Sequence, residues 1–272
     1  MKDILHKILR AKKLEVAAAQ KKIPIESLQE KIIGRPPCRN FYRTLTVRNP
    51  RRINVIAEIK KASPSAGVIR SNFDPVQVAR LYQDCGAAAI SVLTDEPFFQ
   101  GRLDHLSLVK EAVSVPVLRK DFIIDPYQVY ESRAAGADAI LLIAEALKPA
   151  EVMDLMIMAH TLQLTVLLEV HELDSLLQFR SLLGWPLPHY SLLGINNRNL
   201  KTMKTDLSTS IRLCEFVENK NELVSESGIK TRADVENLIR AGFCGILIGE
   251  TLMRSDDIPG KFAELFNPKG DT

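Results

Sequence analysis

Residues 115–144 read VPVLRKDFIIDPYQVYESRAAGADAILLIA and contain one complete strand–helix–strand unit. Both ends, 115–122 and 137–144, are short apolar runs that predict strands. Between them, Asp125-Pro126 places proline at the first position of a helix, and Gly136 fits the left-handed residue that ends one. Two strands joined through a helix predict a parallel sheet.

The same unit recurs along the chain. Eight short runs alternate with longer amphipathic stretches, and they occupy 54–61, 87–94, 115–122, 137–144, 164–170, 192–198, 222–228 and 245–250. The runs begin about 27 residues apart on average, which is room for one strand, one helix and two short loops. Further helix starts are predicted at Asp74-Pro75 and Lys148-Pro149, with Asp206 and Thr231 as N-caps.

These repeats favour a closed (β/α)8 TIM barrel. Gly86 and Gly242 repeat the helix-to-strand return seen at Gly136, which indicates one repeated module rather than two unrelated domains. A doubly wound open sheet is the alternative, but its G-x-G-x-x-G fingerprint does not follow the first run.

Residues 1–50 precede the barrel, which we expect to span 51–272 as part of a single domain. They predict an amphipathic helix, a break at Pro24, a second helix over 26–33 and a turn at 34–37. Spacing alone leaves open whether this extension covers the barrel mouth or lies on its bottom or side.

Composition excludes several classes of protein. Of the 272 residues 46% are hydrophobic and the net charge is +3, which indicates a soluble globular protein without a nucleic-acid surface. Arg48, Arg51 and Arg52 predict a solvated loop, and no apolar run is long enough to span a membrane. The four cysteines are far apart, so a reducing compartment, the cytoplasm, is expected.

Charged residues occupy strands that should be apolar. Glu58 and Lys60 lie on one face of the first run, where two inward charges either form a structural ion pair or take part in chemistry. Lys120 near the end of the third run is a candidate proton donor or imine former. Glu169 ends the fifth run, and a solvated strand-end glutamate is the alternative there.

Polar groups on the later runs predict a ligand site at the carboxyl ends of the strands. Asn196 and Arg198 lie on one face of the sixth run and would orient a carboxylate or carbonyl oxygen. Gly228 and Gly249 follow the last two runs, where backbone N–H groups of tight turns often bind phosphate. Phe98 and Phe99 are candidates for an aromatic wall or for packing. The histidines show no metal-ligand spacing.

With these residues in view, the chain resembles the indole-3-glycerol-phosphate synthase family over nearly its whole length. The resemblance rests on ordered motifs, which are the helix at 4–16, IAEIKKASPS at 56–65, VLRKDF at 117–122, LEVH at 168–171, GINNR at 194–198 and SESGI at 225–229. Members of the family are (β/α)8 barrels whose N-terminal extension helps to cover the substrate.

The resemblance implies a carboxy-lyase of tryptophan biosynthesis. It would cyclise 1-(2-carboxyphenylamino)-1-deoxyribulose 5-phosphate to indole-3-glycerol phosphate, with loss of carbon dioxide and water and without metal or organic cofactor. The small phosphorylated substrate is the expected partner, together with other enzymes of the pathway, whereas no nucleic acid or membrane is expected.

The family's site residues map onto matching positions here. Lys120 is similar to the family's general acid, and Glu169 to its acid/base partner. Glu58 and Lys60 match a pair that assists charge handling and dehydration. Which of the two lysines donates each proton stays open. Asn196 and Arg198 match substrate-holding positions. The remaining matches are phosphate and substrate contacts at Ser63, Ser227, Gly228 and Gly249, a supporting carboxylate at Glu226, and an aromatic pocket at Phe99 and Phe122.

Two positions depart from the family pattern. Ala66 stands where many members have lysine, so a loop lysine contact to substrate is in doubt. Glu250 stands where some have serine, which leaves its backbone N–H as the phosphate contact. A different phosphate-binding barrel, such as an isomerase or a Schiff-base aldolase using Lys120, is the enzymatic alternative, and a catalytically silent ligand-binding barrel is the third hypothesis.

Overall fold

The computed structural model describes residues 4–184, 186–199 and 202–267. Within these ranges eight parallel strands close into a barrel, and they are β1 (Asn54–Ile59), β4 (Ala89–Leu93), β5 (Val117–Lys120), β6 (Ala139–Ile143), β7 (Thr165–Val170), β8 (Ser191–Asn196), β9 (Leu223–Glu226) and β10 (Gly245–Ile248). Each pairs with the barrel strand that follows it in the chain, and β10 pairs with β1. The predicted (β/α)8 barrel is confirmed. Seven of the predicted runs contain their strands, and β8 begins one residue before its run.

Helices connect the strands around the outside. They are α4 (Pro75–Asp84), α5 (Glu96–Phe99), α6 (Leu103–Ala112), α7 (Pro126–Ala135), α8 (Pro149–Thr161), α9 (Leu173–Phe179), α10 (Ser208–Leu213), α11 (Arg232–Ala241), α12 (Glu250–Met253) and α13 (Ile258–Phe266). Single 3₁₀ turns lie at Ala144–Ala146, Arg180–Leu182, Cys214–Phe216 and Lys220–Glu222. A hairpin of β2 (Ala62–Ser63) and β3 (Gly67–Val68), which the sequence did not predict, follows β1.

The local start and stop signals act largely as predicted. Asp74 and Asp125 cap helices whose first residue is proline, and Gly136 ends α7 in the left-handed conformation with φ of 96°. The prediction that Asp206 is an N-cap is wrong, because α10 begins one residue later, after Leu207. The Asp206 carboxylate instead accepts a hydrogen bond from the Ser208 backbone N–H at 3.0 Å.

Two apolar layers hold the barrel together. The outer layer lies between the strands and helices, and includes Val55, Ile140 and Val166. The inner layer fills the barrel, with Ile56, Leu118, Leu167, Leu192 and Leu247 among its buried members. Because side chains alternate along a strand, inward positions beyond this apolar plug are the ones that reach the mouth.

The first helices lie against opposite ends of the barrel. Ile4 and Ile8 of α1 (Ile4–Lys22) line the cavity at the mouth, while α2 (Ile25–Ile33) packs on α7. Helix α3 (Phe41–Thr46), which the sequence did not predict, lies at the amino ends of the strands, where Asn54 Nδ2 donates to the Leu45 carbonyl at 2.6 Å.

The arginine-rich loop that follows is only partly solvated. Arg48 and Arg52 are exposed as predicted. Arg51 is half-buried, because its guanidinium donates to the carbonyl oxygens of Cys85 and Gly86, each at 2.9 Å. None of the helices in the described ranges combines the length and the apolar character needed to cross a membrane.

Candidate active site

A cavity of about 680 Å³ opens at the carboxyl ends of the strands. All the site residues to which the family resemblance points line it, namely Glu58, Lys60, Ser63, Phe99, Lys120, Phe122, Glu169, Asn196, Arg198, Glu226, Ser227, Gly228, Gly249 and Glu250. Phe98, the other aromatic candidate, is not among the lining residues and packs on the inner core. The barrel thus brings together groups that are up to 192 residues apart in the chain, Glu58 and Glu250.

Lys120 lies at the centre of this cavity between two carboxylates. Its Nζ is 2.7 Å from Glu169 Oε2 and 3.2 Å from Glu226 Oε2. Burial would lower the pKa of Lys120, but the negative charges of Glu169, Glu226 and Glu58 outweigh burial and raise it. Lys120 is therefore an ammonium ion at neutral pH.

The two buried glutamates beside Lys120 have opposite pKa shifts. Burial would raise the pKa of Glu169, but Lys120 and His171 together hold it well below its usual value. The pKa of Glu226 is raised by burial and by the nearby Glu169, against the opposing effect of Lys120. Like charges this close disfavour double ionisation. Glu169 is consequently the carboxylate and Glu226 the neutral acid of the pair.

Gly194 on β8 makes room for Glu226. A Cβ at position 194 would overlap Glu226 Oε1, and the β8–β9 register places the neighbouring Asn196 opposite Glu226. The Glu226 side chain is buried, and neither of its oxygens has a well-aligned hydrogen bond. Glycine at position 194 is thus required for the Glu226 carboxyl group to occupy its place inside the barrel.

A second lysine–glutamate pair lies on β1 and beyond its end. Lys60 Nζ is 2.6 Å from Glu58 Oε1, and Glu58 is buried. A Cβ added at Gly249 would lie 2.5 Å from that same Glu58 oxygen. Gly249 therefore gives the Glu58 carboxylate its space, which the sequence did not indicate. The two pairs together place two acids and two bases on one cavity.

Arg198 and its neighbours form the polar rim. The Arg198 backbone N–H donates to Asn196 Oδ1 at 3.0 Å, which leaves the Asn196 amide group as a donor for a ligand. The Arg198 guanidinium contacts Ser65 Oγ and lies 3.2 Å from Glu250 Oε2. Glu250 also lies 3.1 Å from Arg254 Nε. It therefore forms ion pairs with two arginines that line the cavity, Arg198 and Arg254.

Further cations at the rim were missed in the sequence. Lys230, Arg254 and Lys261 line the cavity beside the Ser227–Gly228 turn. That turn has positive φ at both residues, 67° and 81°, a conformation that turns consecutive backbone N–H groups to one side. A side chain at 228 would meet Thr205 Cγ2 at 2.6 Å, so glycine is required there for space as well as conformation.

Phe99 and Phe122 form the apolar wall. Their ring centroids are 6.1 Å apart. Asp95 caps the short helix α5 by accepting from the Phe98 backbone N–H at 2.9 Å, and Asp121 accepts from the Phe122 N–H at 2.7 Å. Ile4 and Ile8 of the extension complete this wall, and they belong to the helix at 4–16 on which the resemblance partly rests.

A buried lysine connects the extension to that wall. Lys12 is only 1% exposed, and its Nζ lies 3.0 Å from Asp95 Oδ2 and 2.9 Å from Asp121 Oδ1. Burial would lower the pKa of Lys12, but Asp121 and Asp95 raise it. Sequence reasoning missed Lys12, because it is one of several lysines on an ordinary amphipathic helix.

His171 was also missed, since the histidines show no metal-ligand spacing in the sequence. It follows β7 directly and lies two residues beyond Glu169, so the same alternation that singled out Glu169 could have found it. Among the residues that the structure describes, no group of three His, Cys, Asp or Glu side chains is arranged to hold a metal ion.

Solved structures with this fold confirm the architecture alone. A 3-hexulose-6-phosphate synthase has a TM-score of 0.60 at 15% identity, with 78% of this chain and 98% of that chain covered. A thiamine phosphate pyrophosphorylase from Pyrococcus furiosus has a TM-score of 0.55 at 15% identity, covering 80% of this chain and 96% of that one. Identity this low shows a shared barrel and leaves activity to other evidence.

Sequence relatives are far closer. The family model for indole-3-glycerol phosphate synthase matches residues 5–265. Indole-3-glycerol phosphate synthase of Neisseria meningitidis is 48% identical over 98% of this chain and 100% of its own length, and that of Rhodopirellula baltica is 46% identical over 94% and 95%. The chain therefore belongs to the indole-3-glycerol phosphate synthase family.

Proposed function

We propose that this chain is a carboxy-lyase that converts 1-(2-carboxyphenylamino)-1-deoxyribulose 5-phosphate to indole-3-glycerol phosphate, carbon dioxide and water. One observation carries the proposal, which is that the Lys120–Glu169 and Lys60–Glu58 pairs face one cavity, at 2.7 and 2.6 Å. A decarboxylating, dehydrating ring closure needs two proton donations and one proton removal at a water-poor site.

The cavity offers a complementary surface for each part of this substrate. The anthranilate ring would lie against Phe99 and Phe122, with Ile4 and Ile8 of the extension covering it. Its carboxylate would meet the donors of Asn196 and Arg198. The phosphate would bind at the other side of the mouth, where Ser63 and the turns at Ser227, Gly228 and Gly249 meet the rim cations.

Ring closure is the first step. The ring carbon that bears the carboxylate attacks the ketose carbon, and the Lys120 ammonium donates a proton to the ketose oxygen as negative charge develops there. Loss of carbon dioxide then returns its electron pair to the ring. Arg198 at the carboxylate would fix the group that leaves, because a planar guanidinium pairs with a carboxylate through two directed bonds.

Dehydration completes the reaction. A ring proton must leave and the hydroxyl must depart as water, which requires a base and an acid on the same intermediate. Glu169 is an ionised carboxylate beside Lys120 and would serve as the base. Glu58 and Lys60 form a second carboxylate–ammonium pair that faces the same cavity. Glu226 supports this set as a neutral acid that keeps the charge beside Lys120 balanced. Either lysine can supply the proton for the departing hydroxyl.

The raised pKa of Lys120 bears on the Schiff-base alternative. An imine former must be a free amine, whereas the neighbouring glutamates, Glu169 foremost, raise the pKa of Lys120 and hold it as ammonium. The ionised form supports proton donation rather than covalent attack. The four cysteines are free, which fits the reducing cytoplasm where we propose that the enzyme acts.

The test is a turnover assay with the anthranilate-derived ribulose phosphate, in which indole-3-glycerol phosphate is followed by its fluorescence. The expected result is product formation together with release of carbon dioxide. Binding of the substrate by calorimetry without turnover would overturn the proposal in favour of a ligand-binding barrel. Borohydride trapping of a substrate adduct on Lys120 would instead support the aldolase.

A further inference from the structure

Behind Glu169 lies a histidine that contacts two carboxylates. His171 Nε2 is 3.2 Å from Glu169 Oε1, and Nδ1 is 2.9 Å from Glu145 Oε2. The His171 backbone N–H also donates to the other Glu145 oxygen at 2.8 Å. Glu145 belongs to the 3₁₀ turn after β6, so the three residues join the ends of two neighbouring strands.

The charge state of His171 follows from these contacts. A neutral imidazole carries a hydrogen on one nitrogen only, whereas both nitrogens here lie close to carboxylate oxygens, which only accept. The Nδ1 contact is a hydrogen bond, and the Nε2 contact is a charge-pair distance without an aligned hydrogen bond. The His171 side chain is 3% exposed, so water cannot replace a missing partner. Burial would lower the pKa of His171, but the hydrogen bonds and charges of Glu145 and Glu169 raise it to about 10. His171 is thus an imidazolium at neutral pH.

Each oxygen of Glu169 consequently faces its own cation. Oε2 lies on Lys120 and Oε1 on His171, while Glu226 lies alongside as a neutral acid. The two cations differ in their access to the cavity. Lys120 lines the cavity, whereas His171 is not among its lining residues.

We propose that His171, held by Glu145, is a positioning residue that fixes the Glu169 carboxylate and keeps it ionised when Lys120 gives its proton to the substrate. This rests on the proposed function, since it assigns a permanent counter-charge to the base of that reaction. Without such a charge, the pKa of Glu169 would rise at the moment Lys120 turned neutral, because its one adjacent cation would be lost. With His171 as a second cation, Glu169 stays ionised as the base while Lys120 acts as the acid.

The experiment compares the pH dependence of kcat in the wild-type enzyme, His171→Gln and Glu145→Gln. In His171→Gln the acid limb should shift upward by about one pH unit, because loss of an adjacent cation raises the pKa of a carboxylate by about one unit or more. Glu145→Gln should shift the limb the same way by less, since His171 keeps one carboxylate. His160→Gln is the control, because His160 lies on the outer helix α8, where its ring packs on Tyr190.

A purely structural role would lower kcat equally at every pH and leave the limb in place, which would overturn the proposal. A second measurement does not depend on turnover or on variant folding. The ¹⁵N NMR signals of His171 in the wild-type protein should remain those of an imidazolium above pH 8, and titration near the ordinary value of about 6.5 would overturn it. If the wild-type enzyme shows no turnover, the proposed function fails, whereas the NMR result stands by itself.

Discussion

Lys12 Nζ of the amino-terminal helix lies 2.9 Å from Oδ1 of Asp121, the residue that directly follows Lys120. The Asp121 side chain is completely buried, and its carboxylate also accepts hydrogen bonds from Thr94 at 2.5 Å and Arg119 at 3.1 Å. Together with the Lys12–Asp95 contact, this ion pair fixes the two loops that carry Phe99 and Phe122. The extension is thereby tied to the apolar wall of the cavity by a buried charge.

Lys12→Met should therefore destabilise the protein and weaken substrate binding. Removing one member of a buried ion pair typically costs about 3–5 kcal/mol, because the partner charge is left uncompensated. We expect a loss of this size in urea unfolding and a higher KM. Lys13→Met, at an exposed position on the same helix, is the matched control. Equal stability of the two variants would show that Lys12 makes no net contribution.

The same contact predicts a pH dependence of stability. Burial would raise the pKa of Asp121, but Arg119 and Lys12 lower it from 3.8 to about 2. The stabilisation is present above the unfolded-state value and is lost as the pH falls from about 4 to about 2. In Lys12→Met the free energy of unfolding should depend less steeply on pH in this interval. Identical acid-unfolding curves would contradict the assignment.

Lys120→Gln tests the general acid. A positioned acid contributes about 10²–10⁴-fold, so kcat should fall by that factor while the protein still folds. The measurement is steady-state fluorescence of product formation. Retention of more than about a tenth of the rate would be incompatible with this role for Lys120.

The two buried glutamates should respond differently to amide substitution. Glu226→Gln replaces a neutral acid with a neutral amide, so its stability at pH 7 should stay within about 1 kcal/mol of wild type. Glu169→Gln removes the carboxylate that Lys120 and His171 share, and should cost about 3–5 kcal/mol. Calorimetric unfolding of both variants distinguishes them. Equal losses would mean that both groups are ionised.

Gly194→Ala should disable the site through a single methyl group. The added Cβ would overlap the Glu226 carboxyl and displace it from Lys120, with a cost of about 1–3 kcal/mol in stability and a larger loss in kcat. Gly245→Ala is the matched control, because its Cβ would meet the Asn54 carbonyl at an ordinary 3.5 Å. Similar activity in the two variants would remove Gly194 from the site.

Glu250→Ser should improve substrate binding. Glu250 holds Arg198 at 3.2 Å and Arg254 at 3.1 Å, and its negative charge faces an anionic substrate. Releasing both arginines should lower KM by about two- to tenfold with little change in kcat. An unchanged or higher KM would indicate that Glu250 positions the arginines for the substrate rather than competing with it.

The sequence determined the architecture because its signals are local. Several signals act within a few residues, namely the short apolar runs, proline after Asp74 and Asp125, and glycine at 136. Their regular spacing implied the barrel. Alternation also placed Glu58 and Lys60 together on an inward face of the first run that should be apolar, and Glu169 stood out at the end of the fifth run. The extra helix at 41–46 carried no such signal and was missed.

Only the tertiary structure decided which charges meet. Lys12 and Asp121 lie 109 positions apart, and Gly194 makes space for Glu226 from the neighbouring strand. These contacts arise when the sheet closes and sets the register between strands, which no local pattern encodes. The same closure removes water and brings the charges together. Nearby charges then keep Lys120 an ammonium and Glu169 a carboxylate against the effect of burial, whereas burial and the adjacent Glu169 make Glu226 an acid.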